Sequence, residues 1–238
     1  MKRWANLVVI CLTSAAAWAQ TKPENLSVST WVREDVFAGV LVGDMDTFEK
    51  GVKKLDTHLA ANPDSSEALA WMGLTRLVRA ARANEAGDPA TFKKNYDAAN
   101  ELFARAGLAK NEAVFAVTGG SFSVLAERLP VEVRRNAYER AYENYSALKA
   151  LQAPYFDKLP THMRGEVLAG LAQAAERIGK AEESKRYLAQ IVETLPGTPY
   201  ESRAKKWMDK PELSKTVSLT CQTCHDSGRL QTKLTASK

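Results

Sequence analysis

Six stretches of the sequence place apolar residues three or four positions apart. They are FEKGVKKLDTHLAAN, EALAWMGLTRLVRAAR, FKKNYDAANELFARAGL, EVRRNAYERAYENYSALKAL, HMRGEVLAGLAQAAERIG and AEESKRYLAQIVETL. This spacing is the period of an amphipathic helix. The breaks between stretches fall at NPDS, AGDP, LP and LPGTP, where proline and glycine interrupt a helix. No stretch shows the alternation of a strand, so the sequence predicts an all-α fold.

The helical stretches are arranged in pairs. Residues 165–198 hold two predicted helices, with Leu168, Leu171 and Ala172 in the first, Ser184 and Leu188 in the second, and Pro196 after the second. This pair resembles the tetratricopeptide repeat, which has small residues at the crossing and a closing proline. Residues 32–65 resemble it more loosely, and pairs at 66–110 and 111–154 depart from the usual length. The resemblance implies antiparallel pairs stacked as a solenoid over 32–210, a platform for a partner.

The first nineteen residues have the pattern of a secretory signal peptide. Lys2 and Arg3 precede the apolar run LVVICLTSAAAWA, and Ala17 and Ala19 provide small residues for cleavage. Residues 20–31 are then an N-terminal extension, and Cys11 is expected to be discarded with the signal. Removal of Lys2 and Arg3 lowers the net charge from +5 to +3. We expect a periplasmic or secreted bacterial protein with no transmembrane segment after cleavage and no nucleic-acid partner.

The two cysteines that remain lie in the stretch LTCQTCHDSGRL. Cys221, Cys224 and His225 follow the order Cys-x-x-Cys-His, which resembles the haem-attachment motif of c-type cytochromes. The resemblance implies one covalent haem c, with Cys221 and Cys224 as thioether anchors and His225 as the proximal iron ligand. It covers only about residues 217–234, and we interpret residues 211–238 as a linker and haem-binding tail.

Other interpretations of the cysteine pair remain open. A disulfide or redox-active dithiol suits an oxidising compartment, but thioredoxin-like chemistry normally lies on a strand-helix framework. A structural zinc site needs about four ligands, whereas this motif offers three adjacent ones. A chance occurrence without haem is the third alternative.

The sixth iron ligand is not evident from the motif. Thirteen residues follow His225, and none is Met or His, so a distal ligand is expected from the helical domain, a second copy or another protein. His162, Met163 and Met208 are the candidates within the chain, because they lie at helix ends near the haem segment in the predicted order. His58 and Met72 are expected to have structural roles.

The sequence lacks a hydrolase triad, a phosphate loop and a nucleotide fingerprint. It therefore favours a single-electron carrier over an enzyme, docked to a redox partner protein or envelope complex through the helical repeats. Two alternatives remain: an envelope adaptor with a structural or sensory haem, and a haem enzyme with an open distal site. Positive charges exceed negative ones over residues 205–238, which favours an acidic redox partner.

Overall fold

A computed structural model describes Val28 and residues 30–220 of the chain. The predicted signal peptide, most of the N-terminal extension and the motif residues Cys221, Cys224 and His225 lie outside the described residues. The described residues comprise the helical domain and the segment that leads to the motif.

Nine α-helices make up most of the described chain, and no strand occurs in this part. The all-α prediction is confirmed. The helices are α1 Thr30–Phe37, α2 Met45–Ala61, α3 Ser66–Glu85, α4 Pro89–Gly107, α5 Glu112–Leu125, α6 Val131–Gln152, α7 Thr161–Arg177, α8 Ala181–Thr194 and α9 Pro199–Asp209. A π-helical turn, Ala38–Val42, extends α1, and 3-10 turns occupy Ala126–Arg128, Ala153–Lys158 and Pro211–Lys215.

Local side chains define where several helices begin. The carboxylate of Asp88 accepts a hydrogen bond from the Thr91 backbone N–H at 2.9 Å, directly before Pro89 opens α4. The Asn111 side chain caps α5 in the same way through the Val114 N–H. Such caps satisfy backbone donors that have no partner within the helix. Directly after the C-terminal end of α7, Gly179 adopts a φ of +86°, a left-handed conformation that favours glycine.

The helices pack as consecutive pairs: α1 with α2, α3 with α4, α5 with α6, and α7 with α8. Each pair is joined by a short connection, which makes its two helices run in opposite directions. The predicted pairs therefore have their counterparts in the structure, including the two middle ones. At the crossing of α7 and α8 the Ser184 hydroxyl donates to the Ala172 carbonyl at 2.9 Å, so a small residue does lie where the helices meet.

The first helices of successive pairs form one layer of parallel helices. Asn111 beside the start of α5 contacts Ser66 at the start of α3, and Arg128 beyond the end of α5 pairs with Glu85 at the end of α3. The layer continues from α5 to α7 and from α7 to α9. The second helices form the other layer, where α4 meets α6 through Asn100 and Arg140. This two-layer stacking of like helices is the arrangement of a helical-repeat solenoid.

Tyrosine rings pack onto glycines where neighbouring pairs meet. The ring of Tyr145 on α6 lies so close to Gly170 of α7 that a methyl group there would be 2.3 Å from the tyrosine Cε2. Likewise, a methyl group at Gly165 of α7 would be 2.3 Å from Cε2 of the Tyr200 ring of α9. The apolar interior forms two larger clusters, one spanning α1 to α7 and one spanning α6 to α9, and Tyr142 contacts both.

The contact of Tyr145 with Gly170 yields a stability prediction. Gly170→Ala should lower the free energy of unfolding by roughly 1–3 kcal/mol, because the added methyl must displace a buried ring. Gly107→Ala is the matched control, since no atom lies within 4 Å of the corresponding methyl position at the end of α4. It should leave stability unchanged or raise it by up to about 1 kcal/mol. Chemical denaturation followed by circular dichroism measures both, and equal effects would contradict the packing argument.

Two tyrosines with raised pKa values yield a prediction on pH dependence. Burial, assisted by the neighbouring Tyr142, raises the pKa of Tyr187 to about 12, and burial with a hydrogen bond to Glu112 raises the pKa of Tyr155 to about 12. In the unfolded chain a tyrosine titrates near pH ~10. The unfolded state therefore loses these protons first, and the free energy of unfolding should fall as pH rises from about 10 to about 12. Denaturant titrations across this pH range should show that the free energy of unfolding falls less steeply with pH in Y155F/Y187F than in the wild type. An equal dependence on pH would show that these two tyrosines do not cause the fall.

Candidate functional site

The described chain ends at Thr220, the residue before Cys221. Cys221, Cys224 and His225 lie outside the described residues, and their roles as haem ligands stay predictions. The structure does show how the chain reaches them. We call residues 211–220 the junction.

The junction is packed onto the helical domain. This stretch was predicted to be part of a linker; in the structure Leu219 and Thr220 are buried and Ser214 is 4% exposed. After Pro211 the chain turns back against α7 and α9, and Leu219 joins the apolar cluster that these helices share with α6 and α8. Burial of this leucine and the hydrogen bonds around it explain why so short a segment is fixed.

Gln173 of α7 holds the end of the junction. Its Oε1 atom accepts hydrogen bonds from the Leu219 backbone N–H at 2.8 Å and from the Ser218 hydroxyl at 3.0 Å. Its Nε2 atom faces the Ser123 hydroxyl of α5 at 3.4 Å. Gln173 is itself buried, so these bonds are made away from water, where an unpaired amide is costly. One glutamine thus links α5, α7 and the junction.

Arg203 of α9 holds the same point from the other side. Its Nη1 atom donates to the Ser218 carbonyl oxygen at 3.0 Å. Within the junction, the Thr220 backbone N–H donates to the Ser218 hydroxyl at 3.2 Å. Ser218 is therefore held by α7, by α9 and by its own neighbour, three positions before Cys221.

A cavity of about 500 Å³ lies between α9 and the junction. Its lining combines two cationic side chains, an indole, two aliphatic side chains and two hydroxyl residues: Arg203, Lys206, Trp207, Leu213, Thr216, Val217 and Ser218. Among the described residues, no carboxylate lines it. Such a lining suits a molecule with an apolar body and a negatively charged edge.

Trp207, one of the residues that line this cavity, has a buried donor without a partner among the described residues. Its side chain is 3% exposed, and its Nε1–H has no hydrogen-bond acceptor among the described residues. Buried indole N–H groups normally have an acceptor. An acceptor supplied by a ligand or by the rest of the chain would remove this deficit.

The three candidate distal ligands lie at different places around the last helices. Met208 is half-exposed on α9, about 7.5 Å along the helix axis from Arg203. His162 and Met163 are exposed at the start of α7, about 16 Å along its axis from Gln173. Met208 is thus separated by fewer helical residues from a side chain that contacts the junction than His162 and Met163 are.

His162 has the hydrogen bonding of an oriented imidazole. Its Nδ1 atom lies 3.0 Å from the Tyr200 hydroxyl, which donates its own proton to Glu166 Oε1 at 2.7 Å. The tautomer that satisfies both bonds carries the proton on Nδ1, as in many metal-binding histidines. His58 on α2 instead contacts Ser65, directly before α3, at 3.2 Å, and Met72 is buried in the apolar core.

Among the described residues, no three His, Cys, Asp or Glu side chains cluster as a metal site. Within the same part of the chain, no helix combines the length and apolar character that crossing a membrane requires. No family model, curated protein or solved structure matches the chain.

Sequence reasoning missed Gln173, Arg203 and Trp207. A signal was present for two of them: Gln173 interrupts the otherwise apolar and small stretch VLAGLAQAA, and Trp207 is a lone aromatic in the charged stretch AKKWMDK. A polar residue on a buried helix face, or an aromatic on a polar helix, indicates a specific partner. The sequence did not indicate which partner.

The bonds of Gln173 yield a prediction for the junction. Gln173→Ala should increase the amide exchange rate of Leu219 and lower the free energy of unfolding by about 1–3 kcal/mol, because the Leu219 N–H loses its buried acceptor. Gln190→Ala, at a half-exposed glutamine of α8, is the control and should change stability by less than about 0.5 kcal/mol. Hydrogen exchange measured by NMR tests this. Unchanged protection of Leu219 in the Gln173 variant would show that the junction is held by other contacts.

Proposed function

We propose that this chain is an exported monohaem c-type protein that passes single electrons and docks through its helical-repeat domain. The Cys-x-x-Cys-His order at 221–225 carries the proposal. In the proposed arrangement, Cys221 and Cys224 hold haem c through thioethers and His225 binds the iron on the proximal side. When bound, the haem supplies a reversible one-electron change at its iron.

The residues before the motif fit this role. Gln173 and Arg203 hold Ser218 and Leu219, so the backbone enters the motif from a defined position. Connectivity keeps the Cα atom of Cys221 within about 3.8 Å of that of Thr220. A redox group attached here is restrained at its point of attachment, which limits the geometries that a partner must accommodate.

The donor set next to the junction also fits a haem. A porphyrin presents a wide apolar face and two carboxylates, and the cavity beside the junction offers aliphatic groups, an indole, Arg203 and Lys206. The buried Trp207 Nε1–H lacks an acceptor within the described chain. These features support a group of this chemical type near the end of α9.

The charges of the last helix support an acidic redox partner. From α9 through the junction the described chain carries Arg203, Lys205, Lys206, Lys210 and Lys215 against Glu201, Asp209 and Glu212. Lys205 pairs with Glu201 at 2.7 Å, whereas Lys206 lines the cavity. An excess of positive charge raises encounter rates with a negatively charged protein, and salt weakens this effect.

The two-layer helical domain favours a second candidate function, an envelope adaptor whose haem is structural or sensory. Repeat architectures serve chiefly as binding platforms. A haem enzyme with an open distal site is the remaining alternative. Carbon monoxide binding to the reduced protein separates an open iron from a six-coordinate one, and reversible electron exchange with a partner separates a carrier from an adaptor.

The decisive test is whether haem is attached covalently to the protein. The mature protein produced with a cytochrome c maturation system should keep haem through denaturing electrophoresis and gain the mass of one haem. Cys221→Ala/Cys224→Ala should abolish haem staining of the gel. The far-ultraviolet circular dichroism should be retained, because the described helices do not include the cysteines.

Thr223→Ala is the matched control, since Thr223 lies between the cysteines but is not part of the Cys-x-x-Cys-His pattern. It should retain the covalent haem. A colourless wild-type protein of unmodified mass would refute the proposed function.

A further inference from the structure

We propose that the cavity between α9 and the junction binds the propionate edge of the haem, with Lys206, Arg203 and the Trp207 Nε1–H as the groups that recognise it. This inference rests on the proposed function and adds a ligand-binding site within the helical domain. It makes α9 a part of the haem environment rather than only the last helix of the repeat.

Position along the chain supports the assignment. Ser218 lines the cavity and precedes Cys221 by three residues. Three Cα–Cα steps span at most about 11 Å, which is within the dimensions of a porphyrin and its side chains. A haem attached at Cys221 is therefore close enough for one of its edges to reach the cavity.

The charges of the cavity lining also support a site for the haem propionates. The lining that the structure describes contains two cations and no carboxylate, so a carboxylate that enters gains attraction without like-charge repulsion from these residues. The Arg203 guanidinium is positioned by its bond to the Ser218 carbonyl. Lys206 is exposed at the rim and adds a flexible positive charge.

The indole of Trp207 provides the third contribution. Its Nε1–H is buried without an acceptor in the described part of the chain. A carboxylate oxygen is a strong acceptor, and a hydrogen bond to the ionised form favours that form. The cavity therefore favours ionised propionate over the neutral acid.

The test uses the purified protein with its covalent haem and compares Lys206→Gln with Lys205→Gln. Both variants remove one lysine charge from α9, but Lys205 pairs with Glu201 and does not line the cavity. Removing a cation near the haem favours the oxidised iron. Lys206→Gln should therefore change the equilibrium constant for reduction about threefold towards oxidation, about 28 mV for one electron at 59 mV per tenfold.

Trp207→Phe provides a second readout, because it keeps an aromatic ring and removes the N–H. The pH at which the reduction potential changes with propionate ionisation should rise in this variant and in Lys206→Gln, since both lose a group that favours the ionised form. Arg203→Gln should act in the same direction. Lys205→Gln should leave this pH unchanged.

Two outcomes would overturn the inference. If covalent haem is present but Lys206→Gln and Trp207→Phe behave as Lys205→Gln does, the cavity does not bind the propionates, and residues 221–238 or another molecule cover Trp207. If the wild-type protein carries no haem, the proposed function fails together with this inference. Haem staining distinguishes these two outcomes before any potential is measured.

Discussion

The close approach of helices at tyrosine-glycine contacts determines where α7 lies. Tyr145 of α6 packs its ring against Gly119 of α5 and Gly170 of α7. Any side chain larger than that of glycine at position 170 would overlap this ring. Because interiors are densely packed, this contact tolerates little variation in helix spacing. Gly165 places α9 against the same helix through Tyr200. The position of α7 therefore determines the position of every group around the junction.

A polar connection crosses the parallel helices at one end of the layer. It runs from Ser123 on α5 to Gln173 on α7, then to Ser218 of the junction and to Arg203 on α9. Apolar contacts alone allow small shifts between helices, whereas a buried amide has defined donor and acceptor positions. The connection thus specifies the register of α5, α7 and the junction, while the apolar clusters provide most of the buried area.

The helix pairs were predictable because their signals are local. Pro130 and Pro160 mark the starts of α6 and α7, and Pro199 opens α9, whereas α1 and α5 lie outside the six periodic stretches. The junction was not predictable in this way. Gln173 and Leu219 are 46 positions apart, and a ten-residue stretch has too few apolar residues to show a period. The cavity depends on the chain reversing at Pro211, which no local pattern specifies.

The stacked arrangement also separates the two ends of the molecule energetically. The α1–α2 pair contacts the rest of the domain chiefly through α3, and its apolar residues belong to the first cluster, whereas Leu219 and Trp207 belong to the second. In such a one-dimensional array, each unit is coupled mainly to its neighbours. Opening of the N-terminal pair can therefore occur as a local, low-energy event that leaves the junction protected. The chain can change its N-terminal surface without loosening the backbone that leads to Cys221.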